Sequence, residues 1–546
     1  MHLVLAVLLA AAQQLPAQVP DTVRATVHRL FGTRDFAPQR FGPARWIEGG
    51  AAYTTVEPAA EGEGHGMDIV RYETATGARS VLVTAKQMTP AGDTAALAFD
   101  DYSWSADRGR LLLFTNTRRV WRQNTRGDYW VLDRRGGSLT KLGGDGPAST
   151  MMYAKFSPAG ELVAYVRQGD LYVQRLADGA ITRLTTGASA TLVNGMTDWV
   201  YEEEFDLRDA FRWSPDGTRI AYWQFDMTGV GDFLLINDTD SLYPFTLPVQ
   251  YPIVGTPNSA VRVGVVSAMG GNTTWIQVPG DARNNYVPWM AWAGPGQLLI
   301  QHMNRRQNVD DVLLADAATG AVRTVLSERD SAWVDLQTDV RWLEGGRRFL
   351  WSSERDGWRH VYSIARDGGD VRLVTPGAFD VEHVEGVDSA GGLLYYVASP
   401  ANATERFLYR SRLDGRGEAV RVTPAGATGT HGYDVSPDGR WALHSASGAD
   451  TPPTLDLVRL PAHEVVRTLV QNAQLREAAA PFLSRPTEFF SLAIEPGVTV
   501  DAYMIRPRDF DSTKTYPVLV YVYGEPAGQT VRDAWGGAAG LWYHAL

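Results

Sequence analysis

The sequence has no cysteine among its 546 residues, which excludes disulfide bonds, CxxC redox motifs and thiolate zinc sites. Long apolar runs are also absent: the run over residues 3–12 is too short to cross a bilayer, which takes about 20 residues, and no later run is long enough. Positive charge is in the minority, with 51 Lys and Arg against 62 Asp and Glu and a formal net charge of −11. This balance argues against a nucleic-acid partner, because such proteins cluster Lys and Arg to neutralise phosphates. We therefore expect no nucleic-acid partner, no membrane span in the mature chain, and neutral or cationic ligands.

The N-terminal run has the features of a secretory signal peptide. It ends in small residues, and Ala10 and Ala12 satisfy the small-x-small rule for cleavage, which we place near residue 12 or residue 17. We predict a signal peptide over residues 1–17 and a secreted or periplasmic location in a bacterium, since a chain of this length can build its core without disulfides. No Lys or Arg precedes the run, so a buried N-terminal strand or a misassigned start codon is the alternative.

One pattern recurs from about residue 44 to residue 450: a Trp or other apolar residue, a short polar turn with Gly, then an apolar strand. FRWSPDGTRIAYW and YDVSPDGRWALHS show it well, because Ser-Pro-Asp-Gly favours a hairpin turn in which Gly adopts positive φ. The pattern occurs eight times at spacings of 45 to 79 residues, which are typical of four-stranded propeller blades. Its anchor residues are Trp46, Trp104, Phe156, Trp213, Trp292, Trp342, Val387 and Val435.

These repeats predict a mainly β fold, an eight-bladed β-propeller over residues 44–475, preceded by a lead-in segment over residues 25–43. After Pro481 the pattern changes, and YPVLVYVYGEP is an unbroken apolar run of the kind buried on both faces of a parallel sheet. AWGGAAGLWYHAL then has the composition of a helix. We expect residues 481–546 to begin an α/β domain, with too few strands to complete it.

The segment NGMTDWVYEEEFDLRDAFRW places three glutamates, residues 202–204, among aromatic residues. A run of three glutamates is most often a solvated face. Carboxylates held against aromatic rings are instead partly desolvated, and neighbouring like charges raise each other's proton affinity unless a cation lies between them. The implied ligand is a cation, such as the free α-ammonium group of a peptide. Adjacent helix residues point about 100° apart, so a pair closes on an amine only from a short helix or a helix end that projects toward the site.

Two other aromatic-rich segments offer candidate binding groups. In RRVWRQNTRGDYWVLD, arginines alternate with Trp and Tyr. The common structure for such a segment is a blade edge where Arg stems cover aromatic rings, and the alternative is an Arg whose planar donors hold a carbonyl oxygen. Tyr523 ends the YPVLVYVYG run, where strand ends present side chains to α/β active sites. A packed core tyrosine is the alternative there.

Several catalytic motifs are missing from the 546 residues. No G-x-S-x-G occurs, so the nucleophile elbow of a serine hydrolase is absent. HExxH, the P-loop and the EF-hand loop are absent as well. We predict no metal and no cofactor, and we assign none of the ten scattered histidines a catalytic role.

The sequence resembles the dipeptidyl peptidase IV family of prolyl-oligopeptidase-like serine peptidases. The resemblance runs from about residue 25 onward and is strongest in NGMTDWVYEEEF, FRWSPDGTRIAYWQFD, SLYPFTLPVQYPIVGTPN, SSERDGWRHVY and YPVLVYVYGEPAGQ. It implies an eight-bladed propeller that caps an α/β-hydrolase domain, in agreement with the repeat count. It also implies a serine-type exopeptidase that releases N-terminal dipeptides, preferentially after Pro or Ala, from peptides with a free N-terminus. A homodimer is implied when the full hydrolase domain is present.

The resemblance assigns roles to four residues. Glu203 and Glu204 match the family's glutamates that bind the substrate ammonium group, Arg122 matches the Arg that helps hold a substrate carbonyl, and Tyr523 matches the oxyanion tyrosine. The family's Ser, Asp and His triad and its proline-selective pocket have no counterpart here, so we expect the chain as given to be inactive. We expect a C-terminally truncated peptidase rather than an evolved inactive protein, because the Glu pair and Tyr523 are present.

Two other interpretations stay open. A non-catalytic propeller that binds peptides or proteins would explain the missing triad without truncation. An acylaminoacyl-peptidase or oligopeptidase-like specificity shares the propeller and hydrolase arrangement, but the blocked N-termini of such substrates offer no ammonium group to two carboxylates.

Overall fold

A computed structural model describes residues 20–60, 66–524 and 528–546, so the predicted signal peptide lies outside the described residues. Helix α1 (Asp21–Val27) comes first, and antiparallel sheets make up most of the rest. The first three units each have four strands in chain order. They are β1 (Arg45–Ile47), β2 (Ala52–Pro58), β3 (Met67–Glu73) and β4 (Arg79–Val83); β5 (Phe99–Trp104), β6 (Arg110–Val120), β7 (Gln123–Asp133) and β8 (Leu139–Lys141); and β9 (Met151–Phe156), β10 (Leu162–Arg167), β11 (Asp170–Arg175) and β12 (Ile181–Arg183).

Unit four departs from this plan. Its strands β13 (Leu192–Asn194) and β14 (Phe211–Trp213) both pair with β15 (Arg219–Asp226), and helix α2 (Trp199–Phe205) lies between them in the chain. Helix α2 therefore interrupts the first strand of this unit. A two-stranded arm, β16 (Asp232–Asn237) and β17 (Phe245–Gln250), is inserted before β18 (Ala260–Ser267) and β19 (Thr274–Trp275). The arm lies within the longest repeat spacing, the 79 residues between Trp213 and Trp292.

The last four units return to four strands each. They are β20 (Asn285–Trp292), β21 (Gln297–Asn304), β22 (Val309–Asp316) and β23 (Val322–Arg329); β24 (Arg341–Leu343), β25 (Arg348–Ser353), β26 (His360–Ala365) and β27 (Arg372–Leu373); β28 (Val381–Asp388), β29 (Leu393–Ala398), β30 (Phe407–Arg412) and β31 (Val420–Arg421); and β32 (Thr430–Val435), β33 (Trp441–Gly448), β34 (Thr451–Arg459) and β35 (Glu464–Val470). Every predicted anchor residue lies in the first strand of a unit, or in β14 for unit four.

The eight units close into a ring. Each unit shares a buried apolar cluster with the next one, from units one and two through to units seven and eight. Unit eight in turn packs on unit one, where Trp46 lies against a cluster that contains Trp441 and Leu443. The Trp46 indole donates a hydrogen bond to Asp434 at 3.0 Å. Middle strands such as β10 are buried on both faces because a neighbouring unit covers each face. The predicted mainly β, eight-bladed propeller is therefore confirmed.

The segment after the propeller contains α3 (Ala473–Ala479), the hairpin β36 (Glu488–Glu495) and β37 (Val498–Met504), and α4 (Gly537–Ala545). Helix α4 confirms the predicted helix. The prediction of a buried strand over residues 516–524 is wrong in this structure: Val518 and Val522 are 83% and 72% exposed, and no strand among the described residues pairs with the run. An apolar run forms a strand only where a neighbouring strand supplies hydrogen-bond partners.

Two further features concern the ends of the described chain. Leu30 and Phe36, just after α1, pack with α3 and with Leu541 of α4 in a small separate cluster. No helix among the described residues has both the length and the apolar character to cross a membrane.

Candidate functional site

Helix α2 is fixed at its start and along one face. The Asp198 carboxylate accepts the backbone N–H of Tyr201 at 3.0 Å and the Ser259 hydroxyl at 2.6 Å, which caps the helix N-terminus. Tyr201 and Phe205 are buried in the cluster between units four and five, and the Tyr201 hydroxyl accepts the N–H of Val287 at 2.8 Å. Because the aromatic side chains anchor the inner face of this seven-residue helix, its opposite face is left exposed.

The three glutamates of α2 have different surroundings. Glu202 is 5% exposed and forms an ion pair with Arg208, with 3.2 Å between Oε1 and Nε. Burial raises the pKa of Glu202, and the nearby charge of Arg208 opposes that rise. Glu203 and Glu204 are exposed. The candidate pair is therefore less desolvated than Glu202, because successive side chains turn by about 100° and only Glu202 faces inward.

Glu203 and Glu204 each have a partner from a different propeller unit. Nη2 of Arg122 lies 2.7 Å from Oε1 of Glu203. Nε2 of Gln307 donates a hydrogen bond to Oε1 of Glu204, also at 2.7 Å. One carboxylate thus faces a guanidinium cation and the other a neutral amide, so the two adjacent carboxylates have separate partners.

A long hairpin brings Arg122 to α2. Strands β6 and β7 have 11 residues each, and Arg122 follows Trp121, which has a φ of +50°, in the turn between them. Val120, at the end of β6, packs against the cluster between units three and four, so this hairpin of unit two reaches across unit three. The sequence predicted Arg122 and the Glu pair separately, and the structure places Arg122 in contact with Glu203.

Gln307 was not predicted as a site residue. It lies in the turn between β21 and β22 of unit five and is 8% exposed. A glutamine in a hairpin turn carries no functional signal by itself, and only the packing of unit five against unit four brings it next to α2. No pattern in the sequence could have identified it.

Two other predictions concern groups outside this cluster. Tyr523 is 62% exposed, and no hydrogen bond or ion pair within the described ranges joins it to Arg122, Glu203 or Glu204. Over the same ranges, no group of three or more His, Asp or Glu side chains is arranged to hold a metal ion.

Residues 105–453 match the dipeptidyl peptidase IV (DPP IV) N-terminal region, well over half of the chain. The chain belongs to this family. Dipeptidyl peptidase 4 of Trichophyton rubrum is 27% identical over 471 residues, a match that covers 84% of this chain and 60% of that protein. A probable dipeptidyl-aminopeptidase B of Emericella nidulans is 27% identical over 455 residues, which cover 78% of this chain and 50% of that protein. The matched region thus spans about 60% or less of the length of these curated relatives.

Solved structures of the DPP IV type have the same fold. Dipeptidyl peptidase 4 of Porphyromonas gingivalis superposes with a TM-score of 0.85 at 26% identity, covering 94% of this chain and 72% of that one. A putative dipeptidyl aminopeptidase IV of Bacteroides ovatus gives a TM-score of 0.72 at 20% identity, covering 92% and 70%, and supports the fold alone. Membership of the DPP IV family confirms the resemblance seen in the sequence. The roles of Glu203, Glu204, Arg122 and Tyr523 stay predictions.

Proposed function

We propose that this chain is the substrate-recognition part of a serine-type exopeptidase of the DPP IV type, which releases N-terminal dipeptides with a preference for Pro or Ala in the second position. The observation that carries the proposal is the pair of exposed carboxylates at the end of α2, Glu203 beside Arg122 and Glu204 beside Gln307. Because the match covers 60% of the first curated relative, the activity is proposed for the full-length natural protein.

The charges of this cluster suit a peptide with a free N-terminus. Two carboxylates and one guanidinium leave one uncompensated negative charge, since the Gln307 amide is neutral. An α-ammonium group supplies the missing positive charge and three N–H donors for hydrogen bonds to the carboxylates. Glu203 and Glu204 are exposed, so a ligand can reach them. A clamp on the amine fixes how many residues lie before the scissile bond, which limits the product to a dipeptide.

Arg122 is proposed to hold a substrate carbonyl as well as Glu203. A guanidinium group has five N–H donors, and Nη2 of Arg122 serves Glu203. The Arg122 side chain is 66% exposed, so other donors of the planar fork are accessible to a carbonyl oxygen.

Residues 481–546 are proposed to begin an α/β-hydrolase domain, in which Tyr523 donates a hydrogen bond to the developing oxyanion. These 546 residues contain no G-x-S-x-G motif, so the proposal assigns the nucleophile to no residue of this sequence. The secreted or periplasmic location rests on residues 1–17 alone and stays a prediction.

A homodimer is also proposed for the protein with its full hydrolase domain, and the arm β16–β17 is a supporting feature. Apolar side chains on the arm are exposed to solvent, including Phe233, Leu235 and Leu247 at 50%, 48% and 44%. Exposed apolar surface of this kind is typical of a protein–protein interface. In a two-fold symmetric dimer the same surface of each copy forms the interface, so the arm of one copy would pack on the arm of the other.

The test of the proposed function is the double substitution Glu203→Gln with Glu204→Gln in the full-length protein, assayed with Gly-Pro-p-nitroanilide. Each change keeps the shape of the side chain and removes its charge, so we expect a loss of about 3 kcal/mol or more in transition-state binding, which is at least a 100-fold fall in kcat/KM. The matched control replaces two exposed glutamates of the same chain, Glu418 and Glu477, with Gln.

Other outcomes distinguish the alternatives. Unchanged dipeptide release by the double variant contradicts the amine-binding role. Equal cleavage of free and N-acetylated substrates by the wild type points to an acylaminoacyl or oligopeptidase-like specificity. Binding of peptides without any release of dipeptide points to a non-catalytic propeller.

A further inference from the structure

We infer that Gln307 is a positioning residue that sets the direction of the Glu204 carboxylate while leaving its charge intact, and so fixes where the substrate ammonium group binds. The inference rests on the proposed function. It concerns a residue from unit five, whereas Arg122 comes from unit two and the two glutamates from unit four.

The two carboxylates of the pair are held in electrostatically different ways. The partner of Glu203 is a cation, Arg122, at 2.7 Å. The partner of Glu204 is an amide that donates a hydrogen bond at the same distance and carries no net charge. Glu203 is therefore largely compensated, and Glu204 keeps its full charge for a ligand. A neutral donor orients this carboxylate without adding a positive charge that competes with an ammonium group.

Gln307 is itself held firmly. Its backbone N–H donates to the Asn304 carbonyl at 2.9 Å, and its own carbonyl accepts the N–H of Val334 at 2.8 Å. The Asn304 side-chain oxygen accepts the backbone N–H groups of Asn308 at 3.1 Å and Val309 at 3.2 Å. Gln307 also adopts a φ of +54°, a conformation that is uncommon for residues other than Gly. These contacts fix the backbone of the turn, from which the buried amide reaches Glu204.

A purely structural role for Gln307 makes a different prediction from a positioning role. If the amide only fills space between units four and five, its loss weakens binding of every ligand to the same extent. If it orients Glu204, its loss weakens only ligands that carry an amine. The dipeptide Gly-Pro and N-acetylproline separate these cases, because they differ only in the amino group.

The experiment measures competitive inhibition of the full-length protein by Gly-Pro and by N-acetylproline, and takes the ratio of the two inhibition constants. Gln307→Asn suits the left-handed backbone and withdraws the amide by one methylene, and Gln307→Met removes the donor. In both variants we expect the preference for Gly-Pro to fall by about 10- to 100-fold, as for the loss of a hydrogen bond to a charged group. KM for Gly-Pro-p-nitroanilide rises and kcat stays within about threefold.

Gln301→Met is the matched control. Gln301 is fully buried in the same hairpin, and its amide donates to the backbone carbonyl of Gln337 rather than to a carboxylate. This variant is expected to keep the wild-type preference. If the double variant at Glu203 and Glu204 also keeps that preference, the proposed function fails. If the double variant loses it while both Gln307 variants stay within about threefold of wild type, only the role of Gln307 is overturned.

Discussion

Tyr523 is the predicted site residue whose two interpretations differ most in their consequences. Its side chain is 62% exposed, so removal of the hydroxyl group breaks no buried contact. As an oxyanion donor in the full-length protein, Tyr523→Phe is expected to lower kcat by about 10² to 10³, with no change in the thermal midpoint. The measurements are kcat for Gly-Pro-p-nitroanilide and thermal unfolding. Tyr521→Phe, in the same run and 58% exposed, is the control. An unaltered kcat contradicts the oxyanion role. A clear fall in the midpoint indicates instead that Tyr523 packs in the full-length protein.

Single residues also show how far the sequence could predict the site. The run of glutamates is visible in the sequence, but its three members become distinct only when a helix turns Glu202 inward against Arg208. The sequence identifies Arg122 only by resemblance, because nothing in the pattern shows that its hairpin reaches past unit three. Gln307 contacts Glu204 only because unit five packs against unit four in the propeller. No local sequence pattern predicts that contact.

Within unit eight, strands β32 and β33 carry a buried histidine cluster. Nδ1 of His431 lies 2.8 Å from Nε2 of His444, and the two rings stack with 5.1 Å between centroids. Burial lowers the pKa of His431 to about 4 and that of His444 to about 3. The nearby Glu405 favours protonation of His431, and Arg421 and His463 oppose it.

This cluster predicts a loss of stability in acid. In the unfolded chain both histidines have a pKa of about 6.5, so below that pH the unfolded state binds protons that the folded state does not. The free energy of unfolding should fall from about pH 6.5 down to the folded pKa values, and His444 alone should contribute about 2 kcal/mol of that loss between pH 7.5 and 5. Urea unfolding at both pH values should show a smaller loss for His444→Gln than for wild type. The exposed His383→Gln should behave like wild type, and equal losses in all three proteins would falsify the prediction.

The elements of the propeller were more predictable than its later segment. Each anchor residue marks the same position in its unit because the turn and strand that follow it are local features of the chain. The run over residues 516–524 has the composition of a buried strand, yet Leu519 and Val520 are 69% and 74% exposed. Burial of a strand depends on its neighbours in a sheet, and composition alone does not supply them.

At the scale of the whole molecule, the arm of unit four is the feature that the ring does not explain. In its ladder Leu235 lies directly opposite Leu247, and both are about half exposed. A two-stranded ribbon is marginally stable alone, and its unpaired edges and apolar faces favour association.

We therefore expect the full-length protein to sediment at twice the mass of one chain. The double substitution Leu235→Ser with Leu247→Ser should convert it to the monomer with the propeller still folded. Val420→Ser with Val465→Ser changes two equally exposed apolar residues on other units and should leave the dimer intact. Sedimentation velocity at several protein concentrations measures the oligomeric state. A wild-type monomer at every concentration, or a dimer that persists after the arm substitutions, rules out association through this ribbon.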